Sequence, residues 1–127
     1  MPHFIIDCSQ NIIQQENPEK ILDIVYTTAE STGLFAENDI KVRLQPYLYY
    51  RLGKNKENFM HIFGYIMEGR STEQKADLAQ RMVTNLTELF PDISFLSMSI
   101  NDFETATYSN KSLINPENKD HNRHFEC

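Results

Sequence analysis

A chain of 127 residues, 40% hydrophobic and 24% charged, has the composition of one folded domain rather than of a disordered segment. Its formal net charge of −6 argues against a nucleic-acid backbone as partner, because that binding needs concentrated Lys and Arg to replace counterions. Two cysteines, Cys8 and Cys127, give no disulfide framework, and no run approaches the roughly 20 apolar residues of a membrane span, so a cytoplasmic protein without membrane contact is expected.

The chain opens Met1-Pro2-His3-Phe4-Ile5-Ile6-Asp7-Cys8, a proline behind the initiator followed by an apolar run without polar alternation. This predicts a central strand covered on both faces. Two readings of Pro2 stand side by side. Proline is tolerated at the first residue of a strand, where it removes no ladder donor. Alternatively, if Met1 is clipped, Pro2 becomes a secondary amine on a rigid sheet end, where burial and nearby cations pull its pKa toward neutrality and make it a base. After a polar loop through Gln14, Gln15 and Glu16, Asn17 is placed to cap a helix with Pro18 at its first position; Ile21, Leu22, Val25, Thr28 and Ala29 form its apolar face and Gly33 its stop. In Ile40-Lys41-Val42-Arg43-Leu44 strict alternation predicts a second strand with Lys41 and Arg43 on the face opposite the apolar residues.

A strand, a helix and a second strand make a right-handed βαβ unit with parallel strands, which sets Pro2 and Lys41 at the same end of the sheet. Pro46, Tyr47, Tyr49 and Tyr50 lead into a bend, the tyrosines serving as a binding wall or as packing at the bend or a subunit contact. A turn at Gly53 to Glu57 precedes a third strand, Phe59 to Met67, with His61 expected as a hydrogen-bonded core residue. Ser71 and Gln74 form a capping-box pattern at the head of a second long helix, whose stripe Ala79, Met82, Val83, Leu86, Leu89 and Phe90 ends at Pro91. Leu96, Met98 and Ile100 alternate with polar residues in a fourth strand ending near Phe103. The expected fold is therefore α+β: a single domain over residues 1–127, built of two βαβ halves at 2–50 and 58–103 that share a four-stranded mixed sheet with two helices on one face. Residues 104–127 read as a polar, loop-like tail. Its His121, His124 and Cys127 are too few, in too polar a segment, to support a metal site, and none is expected.

Arg70 falls between the third strand and the second long helix, where unpaired amides and the helix dipole already favour an anion. If the third strand lies antiparallel to the first, Arg70 meets Pro2. Its alternatives are a solvent-facing cation or a salt bridge between subunits.

Met1-Pro2-His3-Phe4-Ile5 followed by Asp7-Cys8-Ser9, with Gly69-Arg70-Ser71 opening the helix, resembles the tautomerase superfamily and, within it, the 5-carboxymethyl-2-hydroxymuconate delta-isomerases. The resemblance extends through Thr32-Gly33-Leu34-Phe35 and Ile40-Lys41-Val42-Arg43, up to about Phe103. It implies a homotrimer acting on an anionic small molecule, with no metal or organic cofactor. Carried onto this sequence, it makes Pro2 the base that moves a proton along a conjugated 2-hydroxydienoate, and Arg70 the residue that holds a carboxylate and stabilises developing charge. The substrate implied is 5-carboxymethyl-2-hydroxymuconate of homoprotocatechuate catabolism. Lys41 stands where the family pattern has an arginine; it keeps the charge but loses the two-pronged grip, which Arg43 on the same strand face could share. Two alternatives remain: a tautomerase of another 2-hydroxy or 2-oxo dienoate, and a non-catalytic module for small anions or assembly.

Overall fold

In β1 (His3–Ser9), alternate residues meet two different environments. Phe4, Ile6 and Cys8 are fully buried, whereas His3, Ile5 and Asp7 are only half-buried. The computed structural model describes residues 1–36 and 38–114. After β1 come α1 (Gln10–Gln15), α2 (Pro18–Ser31), β2 (Lys41–Tyr47), β3 (Phe59–Met67), α3 (Thr72–Leu89) and β4 (Phe95–Phe103). A 3-10 turn at Thr105–Thr107 and α4 (Lys111–Ile114) follow, so the first part of the expected tail is locally ordered. The polar segment after β1 likewise forms a helix rather than a loop, because Ile12 turns back into the core and is fully buried.

The sheet order is β2-β1-β3-β4, with β1 parallel to β2, antiparallel to β3, and β3 parallel to β4. Two right-handed crossovers hung on an antiparallel central pair put α2 and α3 on the same face, the architecture expected from the sequence. One core joins the halves: Phe4, Ile6, Ile21 and Val25 pack with Ile62, Leu78, Met82 and Leu86. The expectation that β1 is covered on both faces does not hold within one chain. With both helices on one side, the opposite face of the sheet carries His3, Ile5, Asp7, His61, Phe63 and Tyr65, all half-buried. His61 is therefore hydrogen-bonded, as expected, but not in the core: its ring nitrogens meet Ser97 Oγ at 2.6 Å and Ser99 Oγ at 3.0 Å. Burial of His61 holds its pKa down, against the opposing pull of Asp7.

The helix boundaries follow their local chemistry. Asn17 Oδ1 accepts from the Glu19 N–H at 2.9 Å with Pro18 behind it, and α2 ends at Gly33, whose φ of 71° is the left-handed stop. Ser71 and Gln74 close the capping box of α3 from both sides. The buried stripe of that helix runs Leu78, Met82, Leu86 and Phe90, with Ala79, Val83 and Leu89 at its flank. Of the bend tyrosines, Tyr49 is 89% exposed, while Tyr47 and Tyr50 lean on Phe59. Among the described residues, no helix is long and apolar enough to cross a membrane.

Candidate active site

The parallel register of β1 and β2 pairs His3 with Lys41, and the antiparallel register of β1 and β3 pairs His3 with Tyr65. The N-terminal end of β1 thus lies between the start of β2 and the end of β3. Just beyond β3, Gly69 takes φ 118°, a turn closed to side-chain-bearing residues, and swings Arg70 back across the sheet end. The result is a small, partly open cavity of about 10 Å3, about the room of one water molecule, lined by Met1, Pro2, Phe35, Asp39, Met67 and Arg70. Pro2 is buried there.

Arg70 reaches this cavity in a more constrained way than the sequence implies. Its Nη2 donates to the Leu34 carbonyl oxygen at 2.6 Å and its Nη1 to that of Met67 at 3.0 Å, and the guanidinium lies 5.1 Å from the Phe35 ring centroid. The arginine therefore ties the segment after α2 to the end of β3. Its Nε is buried with no acceptor among the described residues, and that N–H is the donor still open to an anion. Across the same cavity, Asp39 Oδ2 is buried without a hydrogen-bond donor and lies 3.5 Å from the Met1 ammonium.

The two second-strand cations are set apart from this pair. Lys41 is exposed; its backbone N–H donates to the Pro2 carbonyl oxygen at 3.1 Å, but its ammonium turns to the Asp39 carbonyl oxygen at 2.7 Å. Arg43 stands on the same face of β2, where its Nη1 meets His3 Nδ1 at 3.1 Å beside a shallow groove formed with Tyr65 and Phe103. Burial, then Arg43, Lys41 and the terminal ammonium, hold the His3 pKa down, so His3 is a neutral partner near pH 7. Pro2 and Arg70 thus share one cavity, while Lys41 and Arg43 do not line it: Lys41 borders a groove against α2 and Arg43 the groove with His3, Tyr65 and Phe103.

Asp39 was not legible as a site residue. An acidic residue in a loop of composition Glu-Asn-Asp is unremarkable until the β1/β2 register brings it to the chain terminus. Among the described residues, no group of three His, Cys, Asp or Glu side chains is placed to hold a metal ion, and His121, His124 and Cys127 lie outside the described residues.

The same architecture recurs in solved structures. The chain is 24% identical to a 5-carboxymethyl-2-hydroxymuconate isomerase from Deinococcus radiodurans R1, with a TM-score of 0.74 over 87% of this chain and 88% of that one. A 5-carboxymethyl-2-hydroxymuconate delta-isomerase is 15% identical, with a TM-score of 0.67 over 87% of each chain. A fused 4-OT described as a symmetric trimer is 16% identical, with a TM-score of 0.66 over 80% of this chain and 87% of that one. None of the curated proteins matches the sequence. The family model for 5-carboxymethyl-2-hydroxymuconate isomerase, by contrast, matches residues 2–117, nearly the whole length on which the Pro2 and Arg70 arrangement is built. By that match the chain belongs to the 5-carboxymethyl-2-hydroxymuconate isomerase family, and it is an enzyme of the isomerase class.

Proposed function

We propose that this isomerase moves a proton along a conjugated 2-hydroxydienoate, with 5-carboxymethyl-2-hydroxymuconate of homoprotocatechuate catabolism as substrate and Pro2 as the base. The observation that carries this reading is the convergence of buried Pro2 and the guanidinium of Arg70 on one cavity. Once Met1 is removed, the Pro2 ring nitrogen is a secondary amine. It takes the proton of the C2 hydroxyl, the electron pair shifts along the diene, and the same nitrogen returns the proton to the distal carbon, so substrate and product differ only in where that proton and the double bonds lie. No electron is gained or lost, and the scheme needs no metal or organic cofactor. Arg70 Nε–H is the donor available to a substrate carboxylate or to the oxygen on which charge develops. Lys41 adds charge for the second carboxylate, with Arg43 beside it on the same strand face.

A homotrimer is proposed as the working form. The sheet face away from the helices presents Phe63, Tyr65 and Phe103 in a row of ring contacts, an apolar surface suited to another copy of the chain, and the likeness to a symmetric trimer supports the same assembly. A cytoplasmic location fits this chemistry and the sparse cysteine usage, two residues that give no disulfide framework. The second reading, a tautomerase for a smaller dienoate, is favoured by Lys41, whose point charge grips a carboxylate less specifically than an arginine fork.

The test is ultraviolet-monitored turnover of the muconate, beside a dienoate lacking the carboxymethyl arm, by protein whose intact mass shows a chain starting at Pro2. Efficient turnover of the muconate supports the first reading, and preference for the shorter acid supports the second. While Met1 remains, Pro2 nitrogen is an amide without a basic lone pair, and the Met1 residue lines the cavity. Full activity in a homogeneous Met1-bearing sample would refute the amine base and assign proton transfer to a different group, whereas no turnover of either acid by the processed chain would favour the non-catalytic binding module.

A further inference from the structure

Asp39 is the one carboxylate lining the Pro2 cavity among the described residues, and its position is unfavourable unless a cation meets it. Its side chain is 17% exposed, Oδ2 has no hydrogen-bond donor, and the ammonium of the chain terminus stands 3.5 Å away. The segment is held in place. Asp39 N–H donates to the Ala36 carbonyl oxygen at 3.1 Å, Lys41 Nζ donates to the Asp39 carbonyl oxygen at 2.7 Å, and the Lys41 N–H ties the strand to the Pro2 carbonyl oxygen. Removal of Met1 moves the terminal amine only three bonds along the backbone, roughly 3 Å by covalent geometry, to the Pro2 nitrogen.

We propose that in the processed chain Asp39 takes over as the counter-ion of the Pro2 amine: a positioning residue that orients the ring nitrogen into the cavity and raises its proton affinity. The proposal rests on the reading of Pro2 as the base. The other groups around this nitrogen define the balance. Arg70, from the turn after β3, opposes protonation; the ammonium of Lys41, from β2, is turned to the outer side of the Asp39 carbonyl. His3, next along β1, is half-buried on the opposite sheet face and pairs with Arg43. Glu68, in the turn after β3, is engaged by the Thr105 N–H. From the C-terminal segment, Asn110 approaches Met1 through its amide, with the Tyr108 hydroxyl behind it. Phe35, Ala36 and Met67 bring no charge. Asp39 is thus the anion in the set that acts at close range, and it counters the downward shift that burial and Arg70 alone would impose.

The experiment is a titration of the Pro2 ring nitrogen by nuclear magnetic resonance, in protein labelled with nitrogen-15 proline and starting at Pro2. Asp39→Asn should lower the midpoint by about one pH unit, about tenfold in proton affinity, and should move the acid limb of the kcat/KM profile down by the same amount. Asp39→Ser, with a smaller polar side chain, should do likewise, Asp39→Glu should restore most of the shift, and the exposed-charge control Asp92→Asn should leave the midpoint where it was. A midpoint unmoved in both folded neutral variants overturns the proposal, even if the wild type turns over dienoate well. A midpoint that falls as expected in a protein without turnover upholds the Asp39 pairing and refutes the catalytic reading instead.

Discussion

Replacing Arg70 by alanine removes two things at once, and the geometry separates them. The guanidinium makes two charged hydrogen bonds, to the carbonyl oxygens of Leu34 and Met67, and lies over Phe35. A hydrogen bond from a charged donor contributes about 1.5–3 kcal/mol, but this side chain is half-buried and water replaces part of the loss. With about 0.5–1 kcal/mol for the ring contact, the net destabilisation comes to about 2–4 kcal/mol. For a chain of this length that is a fall of roughly 7–15 °C in melting temperature. The assay is thermal unfolding at fixed protein concentration, which also controls for self-association, run beside turnover. Arg70→Ala should melt lower by that amount and lose turnover by on the order of a hundredfold or more. Arg70→Lys, which keeps the charge and at most one carbonyl contact, should recover about half the stability and little of the rate, because a point charge cannot reach two carbonyls and also present a donor to the cavity. An Arg70→Ala melting temperature within about 2 °C of wild type would refute the structural part of the argument. Undiminished turnover would refute the catalytic part.

Pro2→Ala, in chains processed to residue 2, should stay folded and lose turnover by on the order of a hundredfold, measured by the same ultraviolet assay; near-wild-type rates would remove Pro2 from the mechanism. Lys41→Arg should lower KM for a dicarboxylate substrate with little change in kcat, whereas an unchanged KM together with lost binding in Arg43→Ala would hand that carboxylate to Arg43. Stability should fall as the solution is acidified below the unfolded histidine value of about 6.5. His3 and His61 both have folded pKa values held down by burial, so the unfolded chain binds protons first; the decline starts near that pH and continues through the lower folded values. Urea unfolding across pH 5 to 8 reads the slope, and His61→Gln should flatten part of it. Cys8, buried at 0% exposure with its thiol pushed up to about 11 by burial and then by Asp7, should resist alkylation at neutral pH until the protein unfolds; peptide mapping that finds native Cys8 modified would contradict its packing.

Local chemistry accounts for what the sequence determined by itself. Asn17-Pro18, the Ser71–Gln74 box and the stops at Gly33 and Pro91 place both long helices nearly to the residue, because caps act within one turn. Alternation in residues 40–44 assigns Lys41 and Arg43 to the open face of β2, because strand faces have a period of two. The handedness of βαβ units then brings Pro2 beside the start of β2. Only the tertiary structure decided what depends on contacts between distant segments. The helix at Gln10–Gln15 forms because Ile12 finds the core, and the uncovered face of β1 follows from both helices lying on one side. Arg70 is held by carbonyl oxygens of two other segments, and Asp39 reaches the chain terminus through strand register. A cap or a period is written in neighbouring residues, whereas the partner of a buried charge is chosen by the packing of residues dozens of positions apart.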